Sequence, residues 1–453
     1  MNKRRLIMAL LGLAWSTAAG ATDILEAYRD AQNNDPVLGA ARAGLEATQE
    51  LIPQSRSALL PRVAIGGQTS WIERSTSVDF LDQDFNEHGW QAELRQPVFD
   101  LEAWFNFRSS QAGVEGAEWG FASVEQDLVV RTVSAYLNVL RAEALLESAE
   151  KAEEAVKRQL EQVQQRFDVG LVAITDVLEA QAGYDSSVVV RVQAAGDHDI
   201  FFETLRTLTG QPYDSIAKIS DDLPIVDPTP GNEEEWVDTA LAANPTILAA
   251  TSQLEAAERT LQARRSGHLP TVDATLSHNH FVSGGTSFGG QGLKTDQDVY
   301  ALSITLPIYQ GGLTSSRARE ARALKEQARQ ELLDRQLIVG RDTRNLFRAV
   351  ATDVVRVRAR KQAIASSESA LEATQTGYEV GTRNIVDVLD AQNRLYASQF
   401  DYADSRYNYI IDLMLLRQAA GTLSGTDVEN LNVYADPNDP VTRLNSLKPR
   451  VIN

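Results

Sequence analysis

Two histidines, His278 and His280, have the spacing in this sequence that most suggests metal chemistry. On a strand, an H-x-H pair places both imidazoles on one face, and imidazole is a common zinc ligand. No third ligand is near them, so polar side chains on a strand wall are the preferred interpretation. No Ser-His-Asp order, glycine-rich phosphate loop or zinc motif stands out, and the 62 acidic residues are too many to single out a glycosidase pair. We therefore expect no enzyme activity, no cofactor and no bound metal.

A second titratable pair, Asp387 and Asp390, is three positions apart, so both carboxylates share one face of a helix. Carboxylates near a helix N-terminus stabilise its positive end, and this alone would explain their presence. An earlier, similar stretch of the chain has Asp176 and Glu179 at the equivalent positions. The role of either pair depends on the elements that position it.

Both pairs lie in a stretch that occurs twice, as RFDVGLVAITDVLEAQ at 166–181 and GYEVGTRNIVDVLDAQ at 377–392, with eight of sixteen positions identical. Gly170 and Gly381 occupy the same place in the two copies, and glycine readily adopts the left-handed conformation that ends a helix. Each copy therefore predicts the tip of a helical hairpin, where one helix ends and the next begins.

The duplication extends over most of the chain. NDPVLGAARAGLE at 34–46 matches ANPTILAATSQLE at 243–255, and the offset between the copies stays between 209 and 211 residues. The proline-rich stretch DLPIVDPTPGNEEEW separates the two repeats. The predicted parts are a signal peptide (1–21), repeat one (22–231, with a strand hairpin at 62–98 and long helices to 210), repeat two (232–436, with a strand hairpin at 271–307 and long helices to 421) and a C-terminal tail (437–453).

The first residues, MNKRRLIMALLGLAWSTAAGA, have the basic start, apolar centre and A-x-A end of a secretory signal peptide. Its removal would take away three cations and change the net charge from −19 to −22. Such an acidic chain is a poor candidate for binding nucleic acid or anionic lipid surfaces. The absence of cysteine excludes disulfides and a cysteine-linked lipid anchor. No run of eighteen apolar residues follows, so a membrane span would have to consist of strands.

Long helices are predicted in both repeats, because proline is absent between Pro97 and Pro212 and between Pro307 and Pro437. Apolar residues recur with heptad spacing in these tracts. These are Val156, Leu160, Val163 and Phe167, and then Val350, Val357, Ile364, Leu371 and Tyr378. A helix over 104–169 would be ~100 Å long, as in an elongated coiled assembly. Pro53, in the shorter helix of repeat one, should kink that helix, whereas repeat two has Gln262 there.

Four segments of about ten residues alternate apolar and polar side chains, which is typical of outer-membrane barrel strands. In the last of them Leu302 and Ile304 alternate with Ser303, and the segments 74–88 and 283–297 are predicted loops. Trp71 and Trp90 are placed at strand ends, where an aromatic girdle is expected. Two soluble hairpins would have the same pattern. Four strands cannot close a barrel and an open edge is not viable in lipid, so a membrane protein of this kind must oligomerise.

The sequence resembles the TolC family of outer-membrane channel-tunnel proteins from about Ile24 to Leu431. The resemblance is carried by RFDVGLVAITDV, GHLPTVD, LPIYQGG, GYEVGTRNIVDVLDA and RYNYIIDLMLLRQAAGTL. It implies a mainly α-helical homotrimer with a coiled-coil tunnel through the periplasm and a twelve-stranded barrel in the outer membrane of a Gram-negative bacterium. A mixed belt would hold the interrepeat segment and the chain's end. The implied partners are outer-membrane lipid, a periplasmic adaptor (a membrane fusion protein) and an inner-membrane ABC or proton-driven transporter.

The resemblance also implies roles for residues of the two hairpin tips. Asp387 and Asp390 would line the pore constriction, where three copies gather six carboxylates that attract cations. Tyr378 and Arg383 would hold the entrance closed. Their implied partners are Gln159, Thr175 and Asp176. The heptad position of Tyr378 equally indicates a core aromatic, and both interpretations are compatible because the ring can pack while the hydroxyl bonds.

The function implied is a passive export duct for type I secretion or multidrug efflux. The alternative from another class is a non-conducting periplasmic coiled-coil scaffold or adaptor. The two differ in whether the four alternating strands face lipid.

Overall fold

The computed structural model describes residues 21–75, 77, 82–284 and 292–444. The predicted signal peptide, except for Ala21, lies outside the described residues, as does 445–453 of the predicted tail. The helices are α1 (Ile24–Asn34), α2 (Pro36–Gln49), α3 (Leu51–Ser57), α4 (Leu101–Asp168), α5 (Ile174–Thr209), α6 (Glu233–Ala243), α7 (Pro245–Ser266), α8 (Leu313–Glu379), α9 (Ile385–Ala419) and α10 (Gly425–Asn432). The strands are β1 (Arg62–Arg74), β2 (Gln83–Phe99), β3 (Ser215–Ile219), β4 (Thr271–Ser283), β5 (Leu293–Thr305) and β6 (Ala435–Thr442).

The predicted long helices are confirmed: α4 has 68 residues and α8 has 67. Along the predicted heptad positions Val156, Val163, Val350 and Val357 are buried. The burial follows from the spacing, because residues seven apart return to the same side of a helix. None of the helices in the described part of the chain contains an apolar stretch long enough to cross a membrane.

The chain forms two compact units, and the first consists of the described residues within Met1–Leu38, Glu125–Val237 and Asp342–Asn453. Its most deeply buried large side chains include Leu128, Tyr136, Leu140, Phe202, Leu205 and Ile216. The hydroxyl of Tyr136 donates a 2.6 Å hydrogen bond to the carbonyl of Ala217, so the polar end of this buried ring is satisfied. This hydrogen bond connects strand β3 to helix α4.

Strand β3 pairs antiparallel with β6, which joins the segment after α5 to the end of the chain. The predicted boundary between repeat two and the tail, at 436/437, therefore falls inside a strand. The sequence ADPNDPVT gave no strand signal because proline cannot donate a ladder hydrogen bond. The prolines are tolerated in this two-stranded sheet, whose register shifts between Ala217 and Lys218.

The second unit comprises Gly39–Val124 and Asp238–Arg341, again within the described residues, and contains a four-stranded antiparallel sheet. The strand order is β1-β2-β4-β5, so the hairpins of the two repeats meet where β2 pairs with β4. Within the described residues, strands β1 and β5 each pair with a neighbour on one side only.

Where residues 271–276 pair with 300–305, the sheet has one apolar and one polar face, as the alternation predicted. Further along the strands, the pairs His278–Asp298 and His280–Asp296 lie on the same face as Leu302. In β5, Leu302 and Ile304 share a face and are 68% and 69% exposed in the isolated chain. The opposite face carries an ion pair in which Arg95 Nη2 lies 3.1 Å from Asp273 Oδ2. Exposed apolar side chains on a well-formed sheet indicate a nonaqueous surrounding or a partner.

The strands are longer than predicted at the ends facing the predicted loops. β2 begins at Gln83 and β5 at Leu293, inside the segments 74–88 and 283–297. Backbone pairing continues there although the side chains are polar, so a hydropathy pattern underestimates the strands. Trp90 consequently lies within β2 and not at a strand end, and its ring packs 4.9 Å from that of His278.

The predicted effect of Pro53 is also observed. Helix α2 ends at Gln49 and α3 begins at Leu51, whereas the equivalent α7 runs unbroken through Gln262. Proline has no N–H to donate to the carbonyl of Gln49 four residues earlier, and its ring clashes with that carbonyl.

We expect Pro53→Gln to join α2 and α3 and to stabilise the protein. The restored hydrogen bond is worth about 0.5–1.5 kcal/mol, and each 1 kcal/mol raises Tm by roughly 1 °C in a chain of this size. Gln262→Pro, the matched change in α7, should destabilise by ~3 kcal/mol. Thermal unfolding followed by circular dichroism measures both variants. A Tm that is unchanged or lower for Pro53→Gln would mean that the helix breaks for another reason.

Candidate functional site

The two hairpin tips have the backbone conformation that their glycines predict. Gly170 has φ 77° and Gly381 has φ 80°, in the left-handed region where residues with a Cβ are disfavoured. Beyond each glycine the chain turns back on its helix, with Leu171 N–H donating to the Arg166 carbonyl at 2.9 Å and Thr382 N–H to the Gly377 carbonyl at 2.8 Å. These bonds satisfy carbonyls that the helix end leaves free.

The two tips share one apolar cluster, all of it within the first unit. Its buried members are Val156 and Val163 of α4, Val177 and Ala180 of α5, and Ile385 and Leu389 of α9. Leu160, Phe167, Val172, Tyr184 and Tyr378 pack around them. Both copies of the motif therefore contribute to a single core, together with Val156 and Val163 of α4, and this core fixes the helix ends that carry the predicted site residues.

The ring of Tyr378 packs against this cluster, in agreement with its heptad position. The guanidinium carbon of Arg166 lies 5.1 Å from the ring centroid, a cation–π distance. The hydroxyl is buried and has no hydrogen-bond partner among the described residues. A buried hydroxyl without a partner is costly to the fold.

A cavity of about 700 Å³ adjoins Tyr378. Its lining includes Gln159, Gln162, Gln165, Gln375, Gln392 and Arg166. The Gln159 side chain is buried there, so the structure brings Gln159 and Tyr378 to the same cavity without a direct hydrogen bond between them in the described chain.

Arg383 lies on the outer surface of the second tip. Its Nη1 is 4.0 Å from Asp387 Oδ2, and its side chain is mostly exposed. Thr175 donates to the adjacent Asp176 carboxylate at 3.5 Å. In the described part of a single protomer, Arg383 is thus paired within its own hairpin and not with Thr175 or Asp176.

Asp387 caps α9 through reciprocal bonds with Asn384. The Asp387 N–H donates to the Asn384 side chain at 2.8 Å, and the Asn384 N–H donates to the Asp387 carboxylate at 3.2 Å. The helix-capping interpretation is therefore confirmed for Asp387. Asp390, one turn further, is exposed. Both carboxylates remain accessible, because one oxygen of Asp387 is enough for the cap.

The two histidines of β4 contact carboxylates of β5. His278 Nδ1 lies 2.7 Å from Asp298 Oδ1, and His280 Nδ1 is hydrogen-bonded to Asp296. Among the described residues, no group of three or more His, Asp or Glu side chains has a metal-binding arrangement. The strand register, with His278 opposite Asp298 and His280 opposite Asp296, accounts for these pairs.

Arg166 is a tip residue that the sequence did not single out. It is the first residue of the motif RFDVGLVAITDVLEAQ, and its partner Tyr378 is 212 positions away. Nothing in the local spacing connects the two, since their contact depends on how the two tips pack.

Sequence and structure comparisons relate the chain to known proteins. The family described as "Outer membrane efflux protein" matches residues 27–211 and 236–422, one match for each repeat. The outer membrane protein TolC of Vibrio cholerae is 34% identical over 94% of this chain and 96% of its own. The alkaline protease secretion protein AprF of Pseudomonas aeruginosa is 27% identical over 95% and 91%. The crystal structure of the Campylobacter jejuni CmeC outer membrane channel has the same fold, with a TM-score of 0.75 at 17% identity over 91% of this chain and 90% of that one.

Proposed function

Since this chain belongs to the outer membrane efflux protein family, we propose that three copies of it form a passive duct through the outer membrane and the periplasm. The chain is an efflux or secretion channel of the outer membrane, and its family is one of channels, not of enzymes. The periplasmic scaffold is not favoured. The observation that carries the trimeric duct is the four-stranded sheet with an exposed apolar face and two open edges.

The open edges of β1 and β5 argue for closure between protomers. In lipid, each unpaired N–H or C=O of an edge strand costs several kcal/mol, so edges must be paired. When β5 of one protomer pairs with β1 of the next, a ring of three copies has twelve strands and no edge. This contact is head-to-tail, and a threefold rotation closes it. Leu302 and Ile304 then face lipid, while Arg95 and Asp273 face the lumen.

The second hairpin tip forms the periplasmic entrance in this proposal. Tyr378 brings a buried hydroxyl without a partner in its own protomer, and Arg383 is an exposed cation. Gln159, Thr175 and Asp176 of neighbouring helices offer the acceptors that these groups need. An arginine–carboxylate bond to Asp176 would be charge-assisted and directional, which suits a closed gate.

Asp387 and Asp390 form the constriction of the proposed pore. Threefold symmetry would gather six carboxylates around one axis, and such a ring attracts cations. Their exposure in the protomer supports this placement, since neither carboxylate is occupied by a cation of another helix in the described chain.

The ring is tested by Asp387→Asn combined with Asp390→Asn. An amide oxygen at position 387 can still accept the Asn384 N–H, so α9 keeps its cap while the ring loses its charge. Each carboxylate beside a bound cation contributes about 1–4 kcal/mol to the binding free energy of that cation. Block by multivalent cations should therefore weaken by at least on the order of tenfold in the double variant. Reversal potentials and block in planar bilayers measure this.

The control is Glu179→Gln, which neutralises the exposed carboxylate of the first tip at the position equivalent to Asp390. Cation selectivity should be unchanged in that variant. The ring assignment would be wrong if the Asp387, Asp390 double variant kept the cation preference and block of the native channel.

A passive duct requires energised partners, and we propose a periplasmic adaptor and an inner-membrane ABC or proton-driven transporter. Three apolar side chains at the tips, Val169, Leu171 and Val380, are each about 70% exposed. Exposed apolar residues clustered on hairpin ends are typical of docking surfaces.

A further inference from the structure

Two carboxyl groups meet between helices α8 and α9, away from the hairpin tips. Asp353 of α8 is only 1% exposed, and the carboxyl of Asp412 on α9 lies within hydrogen-bonding contact of it. Asp353 precedes Tyr378 by 25 positions, or ~37 Å along the helix. The pair is therefore separate from the proposed gate and constriction.

Only one of the two carboxylate oxygens of Asp353 has a partner that would stabilise a negative charge. Arg356 of α8 places Nη1 2.7 Å from Asp353 Oδ1. Asp353 Oδ2 is buried and finds no hydrogen-bond donor among the described residues. Two ionised carboxylates in contact have no donor to share and repel each other, whereas a protonated carboxyl can donate to an ionised one.

We infer that Asp353 and Asp412 form a proton-binding site, in which one shared proton makes an O–H···O bond that links α8 to α9. The charged groups that face Asp353 are Asp412 from α9, which favours the protonated form, and Arg356 from α8, which opposes it. The site is a property of these two side chains and does not depend on the proposed roles of Tyr378, Arg383 or the carboxylate ring.

The direction of the pKa agrees with the geometry. Burial, followed by the hydrogen bond and charge of Asp412, raises the pKa of Asp353 to about 6. In the unfolded chain an aspartate has a pKa of about 3.9. The folded state therefore binds the proton more tightly, and the stability from this site decreases as the pH rises from about 4 to about 6. Above that range Asp353 is ionised and the O–H···O link between the helices is lost.

Infrared difference spectroscopy of the full-length purified protein detects the proton directly. Acidification from about pH 8 to about pH 5 should produce the C=O stretch of a protonated carboxylic acid, with a component whose midpoint is near pH 6. Asp353→Asn should lack this component. Asp401→Asn is the matched control, because Asp401 is an exposed aspartate of α9 paired with Arg360. Its spectrum should equal that of the native protein.

Thermal unfolding of Asp412→Asn gives an independent result. The amide removes the repulsion, so Tm should rise by roughly 1–3 °C at about pH 8 and by less at about pH 5. The inference is overturned if Asp353→Asn has the same difference spectrum as the native protein. It is equally overturned if Asp412→Asn has a lower Tm at about pH 8, since the two carboxylates would then not repel.

Discussion

Leu302→Arg should prevent the protein from assembling in the outer membrane. Leu302 is two-thirds exposed on the apolar face of β5, next to Ile304. An arginine on the lipid face of a barrel costs ~2–4 kcal/mol at the bilayer midplane, and a trimer would carry three of them. The combined penalty is comparable to the whole stability of a typical folded domain.

The neighbouring residue provides the control on the opposite face. Ser303 lies directly across from Asp273 in the strand register, and Asp273 already forms an ion pair with Arg95. An arginine at 303 would meet water and an acceptor, so Ser303→Arg should assemble nearly normally. The measurement is the amount of heat-dissociable trimer in outer-membrane fractions. Equal assembly of both variants would mean that the apolar face of the sheet does not contact lipid.

Tyr378→Phe combined with Arg383→Ser should open the periplasmic entrance. A neutral hydrogen bond is worth about 0.5–1.5 kcal/mol and a charged one up to ~3 kcal/mol. Three protomers multiply the loss, and about 5.5 kcal/mol is enough to change a closed-to-open ratio from 99:1 to 1:99. The ring of Tyr378 remains in the apolar cluster as phenylalanine, so the tip should stay folded.

The expected result is a severalfold higher single-channel conductance with little change in the thermal stability of the trimer. Arg360→Ser is a matched control, because it removes an arginine of α8 whose Nη1 lies 3.1 Å from Asp401, far along the helix from the tip. That variant should keep the native conductance. A native conductance in the double variant as well would leave Tyr378 and Arg383 as packing and capping residues only.

Much of the fold could be predicted because it follows from local rules. Heptad spacing identified the long helices, the motif glycines identified both hairpin tips, and Pro53 identified the break between α2 and α3. Strand alternation identified the four-stranded sheet and its two faces. In each case the signal lies within a few neighbouring residues, where sequence spacing determines which side chains share a face.

The remaining features depend on packing between distant segments. The contact of Arg166 with Tyr378 and the pair formed by Asp353 and Asp412 join residues on separate helices. No local pattern distinguishes Arg166, Asp353 or Asp412 from other charged residues of the same helices. Strand β6 was not predicted, because a segment with two prolines is typical of a loop. In the structure, a two-stranded sheet with a register shift accommodates these prolines.

Single-channel recording in planar lipid bilayers is the most direct test of the trimeric outer-membrane duct. The protein should be extracted from outer-membrane fractions as a heat-dissociable trimer and should produce discrete, reproducible conductance steps, small in the native protein and larger in the Tyr378, Arg383 double variant. A monomer found in the soluble periplasmic fraction, with no conductance from either protein, would contradict the account.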